Sequence, residues 1–426
     1  MIAARRGRVF RVGVVSEAVT KAGDPVWPTL TLILTLPMFG GLFFYVVDAP
    51  PLYLLAKAWP VVTAPLTLYA AWRLNPPHHP FVLAACAWLL GVTPFVSVIQ
   101  LGNDVFGALT STVKIWPLTG ALGLAAVLSL IRPTARDLTR VVVVLAILTF
   151  GFLVGAWLFA PDVLFQQGIE DTKVFLNDAE RGRRINAPMM FGILALFLIN
   201  RSFWRRPALW KAVLIGLGVV ALVLAYKQRA QIGGTVVGLG LGALLSLRRW
   251  QGPAMMMTAA VVIAAAIPVT LCLGQGAVDS LGGSLSMRQI EAEHALAFLN
   301  DQPWRWIMGV GSATRVGNVT LGDIVGTPFF FPSDLGWLGV VFEYGAIGAA
   351  LMLALHLVAI RMAWRAAQSG EVISAAVFDY ALFLLIVSPV VSVVLSPGEL
   401  ATVLALSWWL IRTPQVPSGV ASRSEP

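Results

Sequence analysis

Cations stand at the rims of apolar runs in this chain, where an anion could be held at the edge of a membrane. Arg183 and Arg184 close a polar stretch just before "INAPMMFGILALFLIN". Lys227 and Arg229 occupy the short turn of "LAYKQRAQIGG" between two apolar runs, and Arg288 opens "RQIEAEHALAFLND". Arginine offers a planar fork of donors and a charge it does not lose, which matches the oxygens of a phosphate. His294, Asp334 and Glu343 follow, side chains that can take or hold a proton. Residues of these types could neutralise a phosphate-bearing leaving group while a carboxylate or imidazole takes the proton of an incoming hydroxyl.

The elements that must position them are membrane helices. The chain is 58% hydrophobic and 12% charged, with a mean hydropathy of +0.81. Apolar runs near the length of a bilayer-spanning helix are separated by short charged segments, so the fold class expected is an all-α polytopic membrane protein. Charge-free runs place spans at 26–47, 51–72, 80–100, 112–131, 140–160, 187–200, 211–226, 231–247, 254–274, 336–360, 373–395 and 397–411, about twelve in all. Residues 1–25 form a basic N-terminal segment, 26–274 the first nine spans, 275–335 one long loop, 336–411 the last three spans and 412–426 a tail. The first run is too long for a signal-peptide core and is expected to stay as an anchor. Cys86 and Cys272 both fall in apolar runs, which supports neither a disulfide framework nor a cysteine metal site.

Loop charges set the expected orientation. With the N-terminus cytoplasmic, the inside segments collect most of the lysines and arginines, and the C-terminus is cytoplasmic too. Three outer segments break that pattern with cations of their own: 161–186, 226–231 and 275–335. They bring Arg183, Arg184, Lys227, Arg229 and Arg288 to one face of the membrane, which points to an outer pocket for a pyrophosphate-bearing lipid. Any single cation there could equally be a side chain reaching lipid phosphate, and loop arginines could pair with Asp178, Glu180, Glu291 or Glu293.

Gly234, Gly238 and Gly242 recur every fourth residue behind Arg229, a ridge that lets another helix approach closely. The spacing of Ile290, Ala295, Leu296 and Leu299 predicts a helix in the long loop, ending at "NDQP". Glu343 lies about two turns into an expected span, where an ionisable group points into a cavity or at a partner. Lys114 is read as reaching out of the bilayer, and Trp304, Trp306 and Trp337 as marking the interface or stacking on sugar rings.

From about residue 181 to 360 the pattern resembles the O-antigen ligase and polysaccharide polymerase superfamily, bacterial membrane glycosyltransferases of the C-type fold. "RRINAPMM" is similar to that family's arginine-bearing span start, although Asn186 and Pro188 are separated. "KQRAQIGG" is similar to its "SR" span start, with Gln228 where serine is usual. Arg288 through "QPWRWIMGVG" follows its long-loop pattern, and "SDLGWLGVVFEYGAIG" follows its "E.G..G" stretch from Glu343, Gly345 and Gly348. The family's histidine is missing; Ser333 and Asp334 stand in its neighbourhood.

The resemblance implies an enzyme of the bacterial inner membrane that transfers sugar from a polyprenyl-pyrophosphate-linked glycan donor to a glycan acceptor. Arg229 and Arg288 would hold the pyrophosphate, with Arg183 or Arg184 in support, Lys227 alongside, and Asp334 at the acceptor; His294 is the fallback base and Glu343 a further polar group of the site. No Asp-x-Asp or His/Cys cluster occurs in the outer loops, so no metal or other cofactor is expected. Loss of the histidine favours a polymerase over a ligase. Partners would be membrane lipid and a chain-length regulator or export complex, with no nucleic acid. The rival from another class is a flippase or carrier, against which no internal repeat between halves is found.

Overall fold

The computed structural model describes residues 26–44, 46–47, 49–166, 174–178, 182–247, 283–311, 330–391 and 396–413, with the single positions Gly252, Met256, Leu321 and Gly326. The chain is mostly helical. In order the helices are α1 (Trp27–Phe39), α2 (Pro50–Leu74), α3 (His79–Leu101), α4 (Val105–Ile131), α5 (Ala135–Phe159), the short α6 (Val163–Gln166), α7 (Met190–Arg205), α8 (Leu209–Tyr226), α9 (Arg229–Ser246), α10 (Gly283–Asp301), α11 (Pro303–Met308), α12 (Trp337–Ala367), α13 (Val372–Val387) and α14 (Pro397–Arg412).

Six of these, α2, α3, α4, α5, α8 and α12, are long and apolar enough to cross a membrane. With their broad exposed apolar faces, such as Leu209, Trp210 and Leu217 on α8, they make this a helical membrane protein. Every expected span falls on a helix except 254–274, of which Met256 alone is described; the N-terminal segment and nearly all of the C-terminal tail lie outside the described residues. Both α7 and α14 have 16 residues, about 24 Å at 1.5 Å per residue and short of a hydrocarbon core of about 30 Å. The first span is shorter than expected: α1 stops at Phe39, where Gly40 and a left-handed Gly41 turn the chain.

Why the helices start and stop is legible locally. A Thr134–Asp137 capping box opens α5, and left-handed Asn75, Arg132 and Lys227 reverse the chain after α2, α4 and α8. One departure from an all-α chain lies in the expected 161–186 loop. Residues Phe175–Asp178 (β1) and Gly182–Ile185 (β2) pair antiparallel, with Leu176 opposite Arg184 and Asn177 opposite Arg183. A short stretch outside any helix must pair its backbone groups somewhere, and a hairpin does so within itself.

The core is built where α7, α13 and α14 lie inside the others. Each is buried over most of its surface. The glycine ridge of α9 packs on them. A Cβ at Gly238 would sit 2.7 Å from the Phe197 ring, and one at Gly242 2.9 Å from the Asp379 carboxylate, so close approach is what these glycines provide. The same contact encloses Arg201, whose Nε and Nη2 each donate to Asp379 at 2.6 Å while Nη1 donates to Ser246 at 3.1 Å. Arg201 lies just past the expected 187–200 span; the structure extends α7 beyond it and buries it as a paired charge.

Candidate functional site

The expected site residues gather at one end of the bundle, in two groups. The first forms where β2 meets the α8–α9 turn. Ile185 is buried and anchors the hairpin, leaving Arg183 and Arg184 on the strand beside it. Arg183 is exposed and already engaged: its Nη1 lies 2.5 Å from Asp162 and its guanidinium is 5.4 Å from the Phe165 ring. Arg184 points inward toward Tyr226 and bears electrostatically on its hydroxyl, as does Glu399.

The turn is tied to the hairpin by a hydrogen bond from Gln228 to Asn186, two residues the sequence comparison had marked as departures. Tyr226 donates to Gln231 at 2.5 Å, and Tyr380 donates to Glu399 at 2.7 Å. Lys227 takes the left-handed conformation that ends α8 and is half-buried, while Arg229 is exposed as the first residue of α9. There it adds its charge to the positive end of the helix dipole.

The second group lies on α10. The predicted helix is present, but its buried face runs through Glu291, Ala295 and Leu299, while Ile290 is exposed. Ala295 and Leu299 pack with Leu101, Val310, Phe330 and Phe342 into a separate small core. Arg288 and His294 are half-buried and Asp334 is exposed on the turn Pro332–Leu335. Glu291 joins the two elements. It is 5% exposed and accepts from the Phe331 amide at 3.4 Å. Burial first, and then the charge of Asp334, push its carboxyl up to about 7, against the pull of the Phe331 N–H and of Arg288.

A joint between α11 and α12 holds this group in place. Gly345, at φ 68 and ψ 178, breaks α12, and the freed carbonyls are satisfied from "GVG": Val310 N–H donates to Phe342 O at 2.8 Å and Gly311 N–H to Glu343 O at 3.0 Å. The Gly309 carbonyl accepts from Gln100 at 3.1 Å, whose other end accepts from Arg305 at 3.2 Å. Arg305 also donates to Phe298 O at 2.9 Å and to Asp301 at 2.8 Å. Glu343 is buried beside the break and ion-paired with Lys114. Lys114 therefore closes a structural pair instead of reaching out of the bilayer, and Glu343 has a structural partner of its own.

Both groups meet the last turn of α13. Gly234, one turn into α9 beyond Arg229, packs on Val387 and Phe383. The turn that carries Asp334 leads to Gly336, packed on Pro389, and to Trp337, which donates to Ser388 at 3.0 Å. Reasoning from sequence overlooked Tyr226, Tyr380 and Glu399, which come together from three helices, and treated Glu291 only as an ion-pair partner. Its signal was there: positions 291, 295 and 299 share one helix face. Two open depressions lie at the opposite end, one lined by Arg136, Thr139, Arg140 and Glu371, the other by Arg365, Gln368, Ser369 and Thr413. Neither contains a residue of the expected site.

Compared with known proteins, the chain matches no family model and no curated protein.

Proposed function

We propose that this chain is an integral-membrane glycosyltransferase that joins polyprenyl-pyrophosphate-linked oligosaccharide units into a longer polysaccharide on the outer face of a bacterial inner membrane. The observation that carries the reading is that the segments bearing Arg229 and Asp334 both pack at the last turn of α13, through Gly234 on Val387 and Gly336 on Pro389, with Arg184 on the hairpin beside the first and Arg288 on the helix α10 beside the second. The full architecture would be about twelve spans in a C-type arrangement with both termini cytoplasmic.

The acceptor hydroxyl attacks the anomeric carbon of the donor as the bond from that carbon to the pyrophosphate breaks. A single displacement of this kind inverts the configuration. Arginines at the leaving group take up the charge that develops on it, and an exposed carboxylate, Asp334, receives the hydroxyl proton. Arg183 is held to Asp162 and serves as a support for the hairpin, and Arg184 is the member of that pair which faces the site. Lys227 sits behind Arg229 in the same turn, adding positive potential.

The test uses purified protein with a lipid-pyrophosphate-linked oligosaccharide and chelator. Wild type lengthens the glycan, and Arg229→Ala or Arg288→Ala lowers turnover by roughly 10²–10³-fold, the usual loss of one charge-stabilising donor, while the protein stays folded. Transfer of one finished chain to a different acceptor, with no growth, makes the enzyme a ligase. Movement of labelled lipid across reconstituted vesicles without any transfer overturns the enzyme in favour of a flippase.

A further inference from the structure

Glu291 is a buried acid for which the reaction as drawn has no use, and it sits between the two loop residues that the reaction does use. Arg288 lies one turn before it on α10, so the two side chains share a helix face. Asp334 faces it from the Pro332–Leu335 turn, and the Phe331 N–H holds one carboxyl oxygen. The charged groups of the other elements packed on α10 are already committed: Arg305 of α11 to Asp301, and Glu343 of α12 to Lys114. Among the described residues, Arg288 and Asp334 are therefore the charges that act on Glu291.

We propose that Glu291 is a positioning residue that competes with the donor's pyrophosphate for Arg288, so that the donor is captured when Glu291 holds a proton. The inference rests on the glycosyltransferase reading. With Glu291 ionised, two carboxylates and one guanidinium share the joint, and an arriving pyrophosphate meets a net negative neighbourhood. With Glu291 protonated, the guanidinium is balanced by Asp334 alone and can turn its donors to the phosphate oxygens. The value of about 7 for Glu291 places this change within the working range of an enzyme on the outer face. Binding of the donor then takes up a proton.

The experiment measures binding of a lipid-pyrophosphate-linked oligosaccharide to the full chain, with chelator, at pH 6 and pH 8. The sugar-linked diester is the probe because it lacks the second ionisation, near about 6, of a phosphate monoester. Wild type should bind about tenfold more weakly at pH 8, as expected for one proton released near neutrality. Glu291→Gln should bind at pH 8 as wild type does at pH 6, and His294→Gln, which removes the imidazole of the same helix, should keep the pH dependence. Arg288→Ala should bind weakly at both pH values.

Equal wild-type affinity at both pH values, or a tenfold change that survives in Glu291→Gln, overturns the proposal while weak binding by Arg288→Ala keeps the enzyme reading intact. Failure of every variant and of wild type to bind overturns both. Proton uptake, measured for wild type by calorimetry at pH 7 in buffers of different ionisation enthalpy, decides the matter even where the Gln variant does not fold. About half a proton taken up per donor supports the proposal, and none overturns it.

Discussion

Gly309 and Gly345 meet backbone to backbone, and each takes a positive φ, 75° and 68°. A Cβ on Gly309 would fall on the Gly345 amide nitrogen and 2.6 Å from the Glu343 carbonyl oxygen; one on Gly345 would fall on the Ile307 carbonyl. The break in α12 and the turn after α11 are thus a single joint that only glycine can make on either side. Through it the membrane part of α12 fixes where α10 and its Arg288 stand.

Gly345→Ala should consequently act on the loop more than on the bundle. The extended, positive-φ conformation costs a residue with a side chain roughly 1–3 kcal/mol before any collision is counted. The expected outcome is faster hydrogen exchange in α10 and α11 with unchanged protection in α13. Loss of protection in α13 as well would show that the joint supports the whole bundle.

The pair Lys114–Glu343 lies beside that break, half-buried on one side and buried on the other. Lys114→Met or Glu343→Leu alone leaves an uncompensated charge and should cost about 3–5 kcal/mol. The double variant should recover most of the melting temperature, since replacing a buried pair by apolar groups is often neutral. Turnover per folded molecule should recover with it. If stability returns and glycan growth does not, Glu343 contacts substrate and its ion pair is incidental.

Gly238 and Arg229 separate packing from chemistry on one helix. Gly238→Leu drives a side chain into Phe197, and overpacking of this kind costs about 1–3 kcal/mol. Arg229 is exposed, and what an exposed cation contributes through its contacts is at most about 1 kcal/mol, so Arg229→Ala should shift stability by no more than that. The expected contrast is a lower melting temperature with residual turnover for Gly238→Leu, and a nearly unchanged melting temperature with lost turnover for Arg229→Ala.

The helices could be read from the sequence because bilayer length and charge exclusion act on each run separately; α2, α3, α8 and α12 start or stop within a few residues of the expected limits. The glycine ridge was equally legible, since its period alone shows the close approach. The site was legible only in part. Arg229 and Arg288 stand out as cations in an apolar chain, but Asp162, which holds Arg183, lies across a hairpin whose pairing no local pattern announces. Lys114 and Glu343 are separated by 229 residues, and Tyr380 and Glu399 sit in runs read simply as spans. Partnerships between distant segments depend on how helices pack, and one chain's periodicity carries none of that.

Glu291 offers a final check, on stability instead of binding. Its folded value of about 7 stands above the ordinary 4.5, so the sign is fixed. Below about pH 4.5 the carboxyl is protonated in both the docked and the released loop. Between 4.5 and 7 the released form gives up its proton while the docked form keeps it, and docking of α10 on the Phe331–Leu335 turn weakens as pH rises. Above 7 the full penalty remains, at most about 3 kcal/mol for a shift of this size. Glu291→Gln, which has no proton to lose, should match wild type near pH 4.5 and hold α10 more firmly than wild type at pH 8. Hydrogen-exchange protection factors of the α10 amides, corrected for the intrinsic rate at each pH, measure this directly. Identical pH dependence in the two proteins would mean that neither burial nor the Asp334 charge raises Glu291 in solution, and the carboxyl would then stay ionised and hydrated at the joint.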